Sequence, residues 1–104
     1  MFATIRRYES VDQSRANELA KKVDEGLLPK LNELPGFGGY SLIDTHNGVI
    51  SSVAFYETSA QADDSTKVAA DWVRKQELDS ALPNPPKITT GEVVVHKASE
   101  LVQA

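Results

Sequence analysis

Cysteine is absent from this 104-residue chain, and that gap removes disulfides, iron–sulfur clusters, thiolate zinc sites and cysteine nucleophiles together. Histidine is nearly as scarce. His46 and His96 are the two in the chain, and neither has a second ligand nearby or a carboxylate at a recognisable metal-binding spacing. Long apolar runs are also missing: the longest fall far short of the roughly 20 residues a membrane helix needs. Arg6-Arg7 leads into the polar stretch Tyr8-Glu9-Ser10-Val11-Asp12-Gln13, not into the apolar core of a signal segment, so a cytoplasmic location with no membrane partner is expected. Positive charge is not in excess either. The 11 Lys and Arg are scattered among 15 Asp and Glu for a net charge of -4, which leaves no basic stripe to neutralise phosphates and argues against nucleic acid as a partner. The chain shows no Ser-His-Asp set and no closely spaced carboxylate pair with a structural rationale, which argues against hydrolytic and metal-dependent catalysis. Internal repeats are absent, and the cluster Leu82-Pro83-Asn84-Pro85-Pro86 is the only compositionally biased stretch.

What is present points first to a β-hairpin. Within residues 34–56, Asn47-Gly48 separates two runs rich in apolar residues, and Asn-Gly suits a type I′ turn because both residues tolerate positive φ. A two-residue turn there would put Tyr40, Leu42, Val53 and Phe55 on one face and Ile43, Thr45, Ile50, Ala54 and Tyr56 on the other. Both faces carry apolar side chains. An antiparallel sheet commonly leaves one face to water, so this predicts helices on one face and a partner subunit on the other. A chain this long buries roughly 65% of its unfolded surface. That suffices for one core, so a single domain over residues 1–104 is expected, with residues 98–104 an unassigned tail.

The remaining elements follow from local patterns. Phe2-Ala3-Thr4-Ile5-Arg6-Arg7-Tyr8, rich in β-branched and aromatic residues, reads as a first strand. Ser10 to Gln13 offers a capping box for a helix that begins nearby. Ala16, Leu19, Ala20, Val23, Leu27, Leu31 and Leu34 recur at three- and four-residue steps, with Glu18 and Lys22 paired on the polar side. Gly26 and Pro29 predict a kink or break within residues 25–29, and Pro35-Gly36 ends the helix. Gly38-Gly39 is no phosphate loop, because no helix follows it; it suits a bend or bulge at the start of the next strand. Thr58 and Gln61 form a second capping box, leading a helix that buries Ala62, Val68, Ala69, Trp72, Val73 and Leu78. The proline cluster stops it, and Ile88 to Lys97, with Val93, Val94 and Val95, reads as a last strand. Strand, helix, strand, strand, helix, strand is the split βαβ order of an α+β, ferredoxin-like fold: one antiparallel sheet with both helices on one face.

That order, the length, the Pro-Gly-Phe-Gly-Gly-Tyr run leading into the hairpin and the Trp on the second helix together resemble the dimeric α+β barrel superfamily of antibiotic biosynthesis monooxygenase-like proteins, over residues 2–97. The resemblance implies a homodimer formed through the open sheet faces, with a pocket between each sheet and its helices. It also implies a choice of activities, since the superfamily holds cofactor-free quinol oxygenases, haem-degrading enzymes and small proteins without known chemistry. In the oxygenases an Asn often precedes the second-helix Trp by one turn, and here Val68 stands in that position before Trp72. The haem-degrading branch resembles this chain in its helical Trp but uses a first-strand Asn and a helical His. Both are absent here, which argues against haem.

Arg6 and Arg7 alternate along the first strand, so one of them points to the helix-covered face, where a guanidinium could meet an anionic or quinone-like oxygen. The resemblance places Arg6, with Phe2, Thr4 and Tyr8, on the pocket side. Ala69 and Ala70 beside Trp72 leave room for a ligand. The candidate pocket residues are therefore Trp72, Arg6, Thr4, Tyr8, Val68, Tyr40 and Phe55, with no metal or cofactor expected and no catalytic residue assigned. Two readings of function follow. One is binding of a small aromatic or apolar molecule. The other, carried by the resemblance, is a cofactor-free monooxygenase acting on a quinol or polyketide-like substrate, with its anion stabilised by Arg6 or a tyrosine.

Overall fold

A computed structural model describes residues 1–97 of the chain. The tail at 98–104 lies outside the described residues. Four strands form one antiparallel sheet in the order β2-β3-β1-β4, where β1 is Phe2–Tyr8, β2 Phe37–Asp44, β3 Ile50–Tyr56 and β4 Lys87–Glu92. β1 is central, paired with β3 through Ile5↔Val53 and with β4 through Ile5↔Thr89. Its alternation is strict: Thr4 and Arg6 are buried while Ile5 and Arg7 are exposed, as a period of two requires when helices cover only one face.

The first helical rod is continuous from Ala16 to Asn32 but changes pitch. α1 (Ala16–Lys22) passes into a π-helical turn (Val23–Leu27), and α2 (Leu28–Asn32) carries Pro29 in its first turn. The amide of Leu28 donates to the carbonyl of Val23, so one extra residue is looped out just before the proline. Pro29 then occupies a position where no intrahelical donor is required. The irregularity expected at residues 25–29 is this π turn. It keeps Leu19, Val23, Leu27 and Leu31 on one buried stripe.

The start of the rod differs from the Ser10–Gln13 capping box. Ser10 has φ of 56°, and Asp12 caps instead, accepting from the backbone amide of Ser14 at 3.1 Å and its hydroxyl at 2.6 Å. Gln13 is thereby released for another task. Its Oε1 accepts from the Gly48 amide at 2.9 Å and its Nε2 donates to the Asp44 carboxylate at 3.2 Å, tying the helix start to the β2–β3 connection. α3 (Ser59–Lys75) begins at the Thr58/Gln61 capping box as expected.

The hairpin itself is the main correction. Asp44 pairs with Ile50, so residues 45–49 form the loop, and positive φ falls on His46 (59°) and Gly48 (77°), not on Asn47. This pairing differs by one residue from that of a two-residue turn, which swaps the faces of one strand relative to the other. Tyr40 and Leu42 therefore share the helix side with Ile50, Ser52, Ala54 and Tyr56, while Ser41, Ile43, Val53 and Phe55 lie on the open side. A register shift between Phe37 and Gly39 marks a bulge at the expected glycine pair.

The last strand is shorter than Ile88–Lys97. Glu92 pairs with Phe2, the first residue of β1. One further bond, from the Val93 amide to the Met1 carbonyl at 2.9 Å, exhausts the partner strand. Val94 and Val95 run past it at 82% and 88% exposure.

Gly48 accepts a bond from the Val11 amide at 2.9 Å while holding a φ that costs a side chain dearly. Gly48→Val is expected to lower stability by about 1–2 kcal/mol, the strain of a β-branched residue in the left-handed region. Denaturant titration at unchanged m-value tests this, and an unshifted midpoint would show that the loop does not need glycine.

Candidate functional site

The space between sheet and helices contains two connected environments. The inner one is a cavity of about 40 Å³. Its floor is the helix-side face of the sheet, where β1 contributes Thr4, Arg6 and Tyr8, and Tyr40, Ser52 and Ala54 come from β2 and β3. Leu19, Val23, Leu27 and Leu31 of the first rod and Ser65, Ala69 and Trp72 of α3 form its roof. The outer one is a groove of about 470 Å³ bounded by Val73 and Arg74 of α3, by Ile88 of β4 and by the strap Leu82-Pro83-Asn84-Pro85-Pro86. Arg6, Tyr8, Val73 and Leu82 line both.

Size separates their roles. A cavity of roughly 150 Å³ admits benzene, whereas a water needs only about 10–15 Å³, so the inner space as it stands holds solvent-sized guests and no aromatic ring. The groove falls within the range of about 300–1,000 Å³ typical of small-molecule sites. Trp72 closes the inner cavity and is 4% exposed. Its indole reaches the backbone of Gly26, where an added Cβ would lie 3.0 Å from Nε1. The π turn thus brings a residue without a side chain against the indole.

The polar chemistry is concentrated on β1. Arg6 is 5% exposed. Its Nη2 donates to the Tyr8 hydroxyl at 2.9 Å and its guanidinium carbon lies 5.7 Å from the centre of the Tyr8 ring, a cation–π distance. Its Nε is buried with no hydrogen-bond partner. Beside it, Thr4 receives a bond from the Thr90 hydroxyl at 3.1 Å. Burial pushes the phenol of Tyr8 above its ordinary range, with the Arg6 charge acting in the opposite sense. Tyr40 is raised by the same cause, opposed by the Ser52 hydroxyl. Both stay protonated at neutral pH and are therefore not bases.

Of the expected pocket residues, Thr4, Arg6, Tyr8, Tyr40 and Trp72 converge on the inner cavity. Two do not. Phe55 lies on the open face of the sheet, its ring 6.0 Å from that of His96, because the register is one residue away from a two-residue turn. Val68 packs against the rim of the core, in a surface depression with Lys30, Leu34 and Trp72, and does not line the cavity. Phe2 packs in a separate apolar cluster with Ala54, Tyr56 and Ala62. The two alanines divide, Ala69 to the cavity and Ala70 to the groove. His46 sits on the exposed hairpin loop, 3.3 Å from Asp44, and no group of three metal-ligating side chains occurs among the described residues. Sequence reasoning missed Ser52 and Ser65, two buried hydroxyls, and the proline strap as a wall. The strap's signal was available, since Leu82 anchors a segment that its three prolines make stiff.

No family model matches the chain, and no curated protein sequence does. Solved structures do resemble it. A protein of unknown function from Nitrosomonas europaea, NE2512, superposes with a TM-score of 0.74 at 18% identity, covering 95% of this chain and 94% of that one. The ActVA-Orf6 monooxygenase of Streptomyces coelicolor, solved with nanaomycin D, gives 0.69 at 16% identity over 95% and 92%. A dimeric ferredoxin-like protein from an uncultured marine organism gives 0.64 at 15% over 94% and 98%. At such identities the likeness establishes the fold, the ferredoxin-like α+β arrangement also found in antibiotic biosynthesis monooxygenases.

All three tyrosines of the chain, Tyr8, Tyr40 and Tyr56, have phenols raised above 10.0 by burial. Because the unfolded chain releases these protons first, stability is unaffected below about pH 10 and falls as pH rises through it. Phenolate absorbance followed alongside circular dichroism is expected to rise only as the fold is lost. Ionisation of all three at the ordinary value in folded protein would overturn the burial assignment.

Proposed function

We propose that this protein binds a small planar aromatic or otherwise apolar molecule between its sheet and helices, seated in the groove and reaching toward the inner cavity. The observation that carries this is that the groove adjoins the inner cavity across Arg6, Tyr8, Val73 and Leu82, which line both: flat hydrophobic walls with a small number of donors at one point, the usual composition of a ligand site. The single tryptophan serves as reporter. Planar aromatic compounds are expected to bind in the groove with micromolar to millimolar affinity, about 4–8 kcal/mol, measured by calorimetry, and to perturb the emission of Trp72 through the residues that groove and inner cavity share. Neither heat nor an emission change across a broad aromatic panel at millimolar concentration would overturn the proposal.

A second reading is favoured by the fold shared with the ActVA-Orf6 monooxygenase and by the pairing of Arg6 with Tyr8. The protein would then act as a cofactor-free monooxygenase on a quinol or polyketide-like phenol. A phenolic ring carbon would bond one atom of dioxygen, its C–H and the phenol O–H would give up their protons, and the O–O bond would break. The second oxygen atom would leave as water, the ring's own electrons serving as reductant and a quinone as product. Arg6 would stabilise the phenolate on which the electrons gather. Oxygen uptake with hydroquinone-type substrates separates the readings: uptake lost in Arg6→Ala while that variant still folds supports the oxygenase, and binding without uptake leaves the first reading alone.

The open sheet face, with Ala3, Ile5, Ile43, Val53 and Phe55 on it, is proposed to pair with a second copy of the chain across a two-fold axis. The fold is one that a dimeric ferredoxin-like protein also adopts. Light scattering coupled to size exclusion at micromolar concentration is expected to give about twice 11.3 kDa, and a monomer mass would refute the pairing.

A further inference from the structure

We propose that the ligand is an anion, a flat aromatic acid or phenolate whose negative oxygen is received by Arg6; this rests on the ligand-binding reading of the same groove and narrows its chemical class. Three observations carry it. Arg6 is 95% removed from solvent at 5% exposure, yet its Nε has no hydrogen-bond partner and no carboxylate among the described residues lies within 4.0 Å of its guanidinium. Its one side-chain partner is a neutral hydroxyl, that of Tyr8. A buried cation with an unmet donor and no counter-charge is costly, and an oxyanion relieves both deficits at once.

The second observation is the sign of the groove. The chain has 15 acidic residues against 11 basic ones, but among the described residues the groove's charged groups are Arg6 and Arg74, with no Asp or Glu on its walls. Acidic side chains are distributed elsewhere: Asp71, which pairs with Arg74 at 3.3 Å, does not line it. A groove positive in a net-negative protein selects its ligand by charge and draws it in.

The third is shape. Val73, Ile88 and the rings of Pro83, Pro85 and Pro86 give the groove flat apolar sides, which match the body of a planar molecule and offer nothing to a small hydrated anion such as phosphate. Arg6, which lines both groove and cavity, is the charged group that the oxygen of such a molecule would meet where the two adjoin.

Calorimetry on the full chain with naphthoate and its neutral isostere naphthamide tests this. Naphthoate is expected to bind about ten- to a hundredfold tighter than the amide, the difference made by charge-assisted bonds. Arg6→Met is expected to erase the preference, with naphthoate and the amide binding that variant about equally. Should that variant fail to fold, Arg6→Lys, which keeps the charge but loses the planar donor fork, is expected to retain only part of the preference. Equal affinity for acid and amide in the unaltered protein would overturn the anion assignment and leave ligand binding intact. A preference that survives Arg6→Met but disappears in Arg74→Gln or in high salt would overturn Arg6 as the receiver. Binding of neither compound would overturn the groove as a ligand site, and the assignment with it.

Discussion

Burying a guanidinium at the centre of the sheet is the constraint around which the rest of this structure is arranged. β1 is flanked by β3 and β4, so its helix-side residues are the hardest in the molecule to hydrate, and Arg6 is one of them. An all-apolar core could not accept it without a large desolvation cost. The neighbouring positions are accordingly adapted: Tyr8 supplies both an acceptor and a ring face, and Thr4, Ser52 and Ser65 place hydroxyls where helix-facing strand and helix positions ordinarily carry aliphatic groups. The helix side of the sheet thus carries a few polar groups on β1 and β3 among apolar neighbours, beneath a leucine-rich roof.

That roof takes its form from the π turn. A regular helix from Ala16 to Asn32 would put a Pro29 ring against the preceding turn, and the extra residue looped out at Val23–Leu27 removes the conflict. It also leaves Gly26 facing the indole of Trp72. The indole can then sit close to the first rod and close the inner cavity, while the groove lies beside it under the proline strap. One backbone irregularity accordingly lets the interior close around the indole.

The strap has its own physical logic. Prolines at 83, 85 and 86 confine the chain to extended conformations and remove donors that would otherwise need partners. Leu82, at 6% exposure, pins one end to the core, and Lys87 starts β4 at the other. A segment so restricted can wall a groove without collapsing into it.

Much of this was written in local sequence. The ends of β1, the Thr58/Gln61 capping box, the amphipathic leucines of the first rod, the glycine bulge and the α+β order follow from propensity, periodicity and backbone chemistry within a few residues of each position, and the alternation of Arg6 with Arg7 already required one guanidinium to face inward. Contacts distant in sequence decided the remainder. The hairpin loop has five residues because Gln13 holds Gly48 and Asp44 from the start of the first rod, and that odd count moved Phe55 to the open face and brought Ser52 and Ala54 to the floor. β4 stops at Glu92 because β1 ends opposite it, whatever the β propensity of the valines that follow. The unmet donor on Arg6 and the absence of acid from the groove among the described residues depend on which side chains β1, α3, β4 and the strap bring together, and no spacing along one chain could have carried that information.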